Sequence, residues 1–200
     1  MNSINKIIEI FEKKKIGLEP GLSNKEIQDV ETRFQLRFPP DLRLLFQTVL
    51  PVSGCFYHWR HALVDAETAK HIEKMLDWPR EGILFDVEDN NFWVHCDLPN
   101  APAWGPKPET LEMQLETAAK HVSSYTKLIP IFAHRYLPEM PFEEGNPVFS
   151  VHQTDIIYYG DSLLNYFHNE FGQQIEFAEN IKHIPFWSDC ALGAFDVLGS

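Results

Sequence analysis

Cys55, His58 and His61 stand three residues apart and give the chain its best metal-ligand spacing. A thiolate and two imidazoles suit zinc, with Asp65 or a distant group as fourth ligand. At offsets of three and six they share a face only on a helix. Gly54 and the neighbouring aromatics favour a loop or strand instead, so aromatic packing with two hydrogen-bonded histidines is the competing reading. Ser150, His152 and Asp155 are the residue types of nucleophilic hydrolysis, and on a strand Ser150 and His152 point to one face. No Gly-x-Ser-x-Gly elbow lifts the serine, and no glycine-rich turn offers an oxyanion hole. His95 and Cys96 are neighbours, which on a strand face opposite ways. Neither Gly-x-x-x-x-Gly-Lys nor Gly-x-Gly-x-x-Gly occurs, so nucleotide phosphates have no cradle. A metal-dependent or serine hydrolase is therefore the lesser expectation, and the sequence calls for no cofactor.

Charge points elsewhere. The net charge of −12 is uneven: residues 1–80 carry 12 basic and 11 acidic side chains, residues 81–161 carry 4 and 13, and residues 162–200 carry 1 and 5. Such a surface repels nucleic acid and attracts a cationic partner, mainly through the later segments. Glu139, Glu143 and Glu144, with Met140 and Phe142 among them, form an acidic loop with apolar side chains, a mixture that suits a protein interface; a solvated loop is the plain alternative. The expected partner-binding set is Asp86, Glu88, Asp89, Glu139, Glu143, Glu144, Asp155 and Asp161. Trp104 and Phe142 serve as apolar anchors, because interface energy concentrates in a few aromatics.

The elements that must position these residues follow from periodicity. Ile4, Ile7, Ile8 and Phe11 mark an amphipathic helix ended by Gly17 and Pro20, and Lys13, Lys14 and Lys15 suit the negative end of its dipole. Ser23 and Glu26 form a capping-box signature for a second helix with Ile27, Val30 and Phe34 on its apolar face. Pro40 opens a third, carrying Leu42, Leu45, Phe46 and Val49. Ala69, Ile72 and Leu76 predict a fourth that stops at Trp78-Pro79, after which residues 82–93 read as a hairpin or paired loop. Residues 97–108, with four prolines around Trp104, read as an exposed, stiff loop. Leu111, Leu115, Ala118 and Val122 mark a helix over 109–124. Residues 127–136, 147–152 and 155–160 have strand composition, and residues 162–171 suit a further helix. The last thirty residues carry no clear period. Helices first and strands later predict a single α+β domain over 1–200, its N-terminal helices packed on a mixed or antiparallel sheet from the C-terminal half. With 15 Phe, 5 Trp and 6 Tyr it has the apolar area for a core. No secretory pattern opens the chain, no apolar run spans a bilayer, and three widely spaced cysteines fit reduced thiols, so the expected location is cytoplasmic.

Residues 22–54 resemble the N-terminal signature of the SUKH superfamily, which includes bacterial immunity proteins and a yeast cell-wall synthesis regulator. Ile27, Val30 and Glu31 match its apolar-x-x-apolar-Glu run, Phe38 and Pro39 its corner, Leu42 and Leu45 its next helix, and Gly54 its following glycine. The glycine usual just before the corner is replaced by Gln35 or Leu36. Strands around 148–151 and 156–160 are similar to the family's sheet, while residues 82–127 and the tail have no counterpart. The resemblance implies an α+β fold, no catalytic residues and, for many bacterial members, neutralisation of a toxin, often a nuclease, by direct binding. The resulting expectation is a non-catalytic immunity protein that grips a basic toxin domain through an acidic surface. A regulatory scaffold without a toxin partner is the alternative.

Overall fold

The computed structural model describes residues 3–95, 97, 102–172 and 176–195. The first helix, α1 (Ser3–Lys13), buries Ile4, Ile7, Ile10 and Phe11. A short strand β1 (Leu18–Pro20) leads to α2 (Asn24–Phe34), whose start is closed reciprocally. Ser23 Oγ accepts from the Glu26 amide, and the Glu26 carboxylate accepts from the Ser23 amide at 2.8 Å. α2 ends with Gln35 in the left-handed region (φ 51, ψ 48), the conformation that glycine adopts without strain. Glu31 then pins the corner, accepting from the Phe38 amide and, through both carboxylate oxygens, from Arg43 Nη1 at 2.9 and 3.0 Å. Pro40 opens α3 (Pro40–Thr48), which buries Leu42, Leu45 and Phe46 and runs into β2 (Val49–Pro51), antiparallel to β1.

The fourth helix departs from the sequence expectation. α4 (Ala66–Asp89) passes through Pro79 and occupies the region expected to form a hairpin. A proline inside a helix leaves the carbonyl four residues back without its donor. Here that carbonyl belongs to Met75, and the Tyr136 hydroxyl donates to it at 2.9 Å. Beyond Pro79 the helix buries Ile83, Asp86 and Val87. The Asp86 carboxylate accepts from the Thr154 amide (2.7 Å), the Thr154 hydroxyl (2.6 Å) and Asn90 Nδ2 (2.6 Å). Gly82 lets the helix approach the same turn, since a Cβ there would lie 2.8 Å from Gln153 Cα. These partners are absent from local sequence, which is why Pro79 and Gly82 read as breakers.

α5 (Leu111–Val122) precedes an antiparallel meander in the order β3 (Leu128–Phe132), β4 (Arg135–Pro138), β5 (Val148–His152) and β6 (Asp155–Gly160). The expected strand over 127–136 is thus two strands. The chain folds back at Ala133 (φ 46), whose amide donates to the Cys55 carbonyl and whose carbonyl accepts from the Tyr57 hydroxyl. α6 (Leu163–Glu170) and α7 (Trp187–Ala191) follow. The fold is α+β, with an antiparallel sheet in the C-terminal half.

Both sheet faces are covered. Ile129, Ile131, Leu137 and Val148 join a first core with α1, α2, α3, α6 and the start of α4. Leu128, Tyr136, Phe149, Val151 and Ile156 face a second core with the end of α4, α5, α7 and the tryptophans 93 and 104. Trp104 is a centre of that second core rather than the tip of an exposed loop. It is 4% exposed, stacks on His121 and Phe186, meets Trp93 edge-on at 5.3 Å, and donates from Nε1 to the Tyr125 hydroxyl. No helix of the described residues is long and apolar enough to cross a membrane.

Candidate functional site

A cavity of about 630 Å³ opens where the ends of α2 and α5, the middle of α4, the start of β3 and α7 converge. Its size falls in the range of binding clefts. Phe34, Leu76, Pro79, Tyr125, Leu128 and Trp187 give it an apolar lining. Charge of both signs rims it: Arg33 and Lys127 come from the α2 and β3 side, and Glu73, Asp77 and Arg80 come from α4.

Each wall is held by local chemistry. The left-handed Gln35 turns the chain out of α2 and aims its carbonyl at the Lys127 ammonium, 2.6 Å away. Pro79 faces the cavity because α4 continues through it. Tyr125 is fixed by a ring stack on Phe186, with centroids 4.4 Å apart and planes 6° from parallel. Burial raises the Tyr125 hydroxyl pKa, opposed by the bond from Trp104. Phe186 itself has φ 68 and ψ −55, and the Trp187 amide donates to the Pro185 carbonyl at 3.0 Å, which is a γ-turn of the strained, positive-φ kind. A bulky residue in that region costs on the order of 1–3 kcal/mol and persists only when its surroundings enforce it. Here Asp189 accepts from the Phe186 amide at 2.9 Å, and Trp187 Nε1 donates to the Thr126 carbonyl at 2.9 Å. Asp189 also holds the His183 ring at 2.8 Å. The strain therefore seats Trp187 and Tyr125 in the cleft wall.

The sequence-derived candidates fall elsewhere. Cys55, His58 and His61 are all exposed, and His61 Nδ1 is bonded to the Thr68 hydroxyl at 2.9 Å. Among the described residues no three His, Cys, Asp or Glu side chains converge to hold an ion. The Ser150 hydroxyl accepts from Arg135, and Arg135 is in turn clamped by Glu170 and lies over the Tyr159 ring at 3.8 Å. His152 pairs in register with Asp155 across the β5–β6 turn, and among the described residues no hydrogen bond links Ser150 to His152 or His152 to Asp155. His95 is exposed, and Cys96 lies outside the described residues, as do 98–101 of the proline-rich segment and the last five residues.

The ten partner-binding candidates do not form one surface. Asp86 and Trp104 are buried and serve the interior. Asp161 accepts from Ser162, Asn165 and the Ala178 amide, which fixes the start of α6. Glu139 is half-buried: it accepts from the Arg37 amide, and burial raises its carboxyl pKa. Phe142 lies under the Arg37 guanidinium at 3.9 Å, and Glu143 pairs with Lys182 at 2.8 Å. This loop joins β4 to β5, whereas Glu88, Asp89 and Asp155 cluster at the opposite end of the sheet beside the β5–β6 turn. The five residues of β5 separate the two groups by roughly 16 Å at 3.3 Å per residue.

At that second end lies a feature the sequence reading missed. Phe85 is 46% exposed on α4, between Glu81 and the pair Glu88 and Asp89, on the side turned from the core. Residues 81–106 contain no lysine or arginine, with Arg80 and Lys107 at the two borders of the stretch. The periodicity that would have shown Phe85 facing outward was hidden by reading 82–93 as a hairpin. No family model, curated protein or solved structure matches the chain.

Proposed function

We propose that this chain is a non-catalytic protein-binding module of the SUKH kind that acts as an immunity protein, holding a basic toxin domain against the outer face of α4. The observation that carries the reading is the exposed Phe85 ringed by Glu81, Glu88 and Asp89, with Asp155 on the adjoining turn and no cation in the stretch. An aromatic side chain in a field of one sign supplies both an anchor and electrostatic steering. A nuclease must present cations to phosphate, and carboxylates can occupy that surface. The resemblance over residues 22–54 supports the same reading.

Co-expression with a basic toxin-like domain, chosen from a neighbouring gene where one encodes it, tests this. Protection of the host and co-purification of the pair are expected, with affinity falling as salt rises. Phe85→Ala combined with Glu88→Lys is expected to weaken binding at least tenfold. A basic toxin domain bound equally well by that variant would remove the surface, and failure to bind or protect would remove the function.

A further inference from the structure

The cleft between α2, α4, α5 and α7 lies apart from the Phe85 face and has its own charge pattern. Arg33 donates to the Leu63 carbonyl and Lys127 to the Gln35 carbonyl, while Arg80 stands 3.7 Å from Asp77 on its own helix. Among the described residues no ion pair crosses the cleft, although Glu73 and Asp77 line one side and Arg33 and Lys127 the other. Opposite charges facing one apolar space without meeting leave both walls able to pair with something inserted between them. The floor of Phe34, Tyr125 and Trp187 favours a large apolar side chain, which would be removed from water there.

We infer that this cleft receives a short segment of a partner protein. The segment carries one large apolar anchor, with a basic residue on the side facing Glu73 and Asp77 and an acidic residue on the side facing Arg33 and Lys127. The inference rests on the protein-binding reading and adds a second contact to it. The α4 wall is net acidic even with Arg80 beside Asp77, and the facing wall of Arg33 and Lys127 is basic; this favours one direction of the segment, because the reversed orientation places like charges together.

The test pans a random twelve-residue peptide library displayed on phage against the full chain, then measures the affinity of enriched peptides by fluorescence anisotropy. Enrichment of an apolar residue flanked by opposite charges is expected. Ser123→Trp, which crowds the cleft mouth, and the pair Glu73→Lys with Asp77→Lys should each weaken binding at least tenfold. Glu88→Lys with Asp89→Lys, outside the cleft, should leave it unchanged. Exchanging lysine for glutamate in the peptide should restore binding to the Glu73→Lys, Asp77→Lys protein, a rescue that a misfolded variant cannot give. No enriched peptide, or affinities indifferent to the cleft variants, would overturn the inference. Since panning needs no toxin, its failure beside intact toxin binding at the Phe85 face leaves the proposed function standing.

Discussion

The two cores on either side of the sheet are built from similar residues but by different means. The first is assembled from helices whose apolar positions recur in sequence: Ile4, Ile7 and Phe11 on α1, Ile27, Val30 and Phe34 on α2, Leu42, Leu45 and Phe46 on α3. Its helices start on closures short in sequence, such as Ser23 with Glu26, and long-range bonds such as Arg60 to Glu26 are added to helices already specified locally. The second depends on bonds across the chain. Tyr136 reaches Met75 over 61 positions, Thr154 reaches Asp86 over 68, and Trp187 reaches Thr126 over 61. Local order builds the first core, and tertiary contact permits the second to have helices at all where Pro79 and Gly82 argue against them.

The largest test of that difference is Trp104→Ala. Removing a buried tryptophan side chain should cost about 3–5 kcal/mol, read by denaturant unfolding. Native-state hydrogen exchange should then rise in α5 and α7 while α1, α2 and α3 keep more of their protection. Uniform loss of protection would show that the two cores open as one. Next comes Gly82→Ala, whose Cβ would press into Gln153 backbone at 2.8 Å. Overpacking of that kind costs about 1–3 kcal/mol, although alanine is ordinarily the better helix former. A stabilised Gly82→Ala protein would mean that the α4 contact with the turn is looser than the geometry indicates.

Smaller, and more specific, is Tyr136→Phe. The lost hydroxyl should cost about 1 kcal/mol. The double-mutant cycle with Pro79→Ala sharpens it, because alanine supplies the amide that proline lacks and the Met75 carbonyl regains its ordinary partner. The cost of Tyr136→Phe should shrink in the Pro79→Ala background. An unchanged cost would separate the tyrosine from the helix's passage through Pro79.

The same contrast explains what the sequence made legible. The helices of the first core, the capping box, Pro40 as a helix start and the strand composition of 147–160 all carry their cause within a few residues. Trp104 does not: its burial requires His121 and Phe186, which become neighbours only after folding. Nor could sequence assemble the cleft, since Phe34, Pro79, Tyr125 and Trp187 come from separate segments and one wall depends on a strained turn at Phe186. The acidic crowding was readable as a total, but its division between two ends of the sheet needed the strand register. Asp86 counted as surface charge until Thr154 and Asn90 enclosed it.

The smallest expected effect is a pH dependence lodged in the first core. The Arg60 guanidinium bonds the Glu26 carboxylate at 2.6 Å, and with the Ser23 amide it holds that carboxyl at about 2, below its ordinary 4.5. A depressed folded-state value means that the unfolded chain takes up the proton first as pH falls. The resulting stabilisation is complete above about 4.5 and is lost progressively as pH drops toward about 2. Glu26 is partly solvated, with its side chain 29% exposed, so the gain is a screened fraction of what the shift alone implies. Asp41 and Glu139 act in the opposite sense: burial raises both, and their contributions fade as pH rises. The wild-type acid limb is therefore a sum of both signs, and the difference between wild type and Glu26→Gln isolates the Arg60 pair. Thermal melts across that window should show a shallower fall for Glu26→Gln. Parallel curves would assign the acid sensitivity to other carboxylates and leave the α2 cap as a neutral hydrogen-bonded closure.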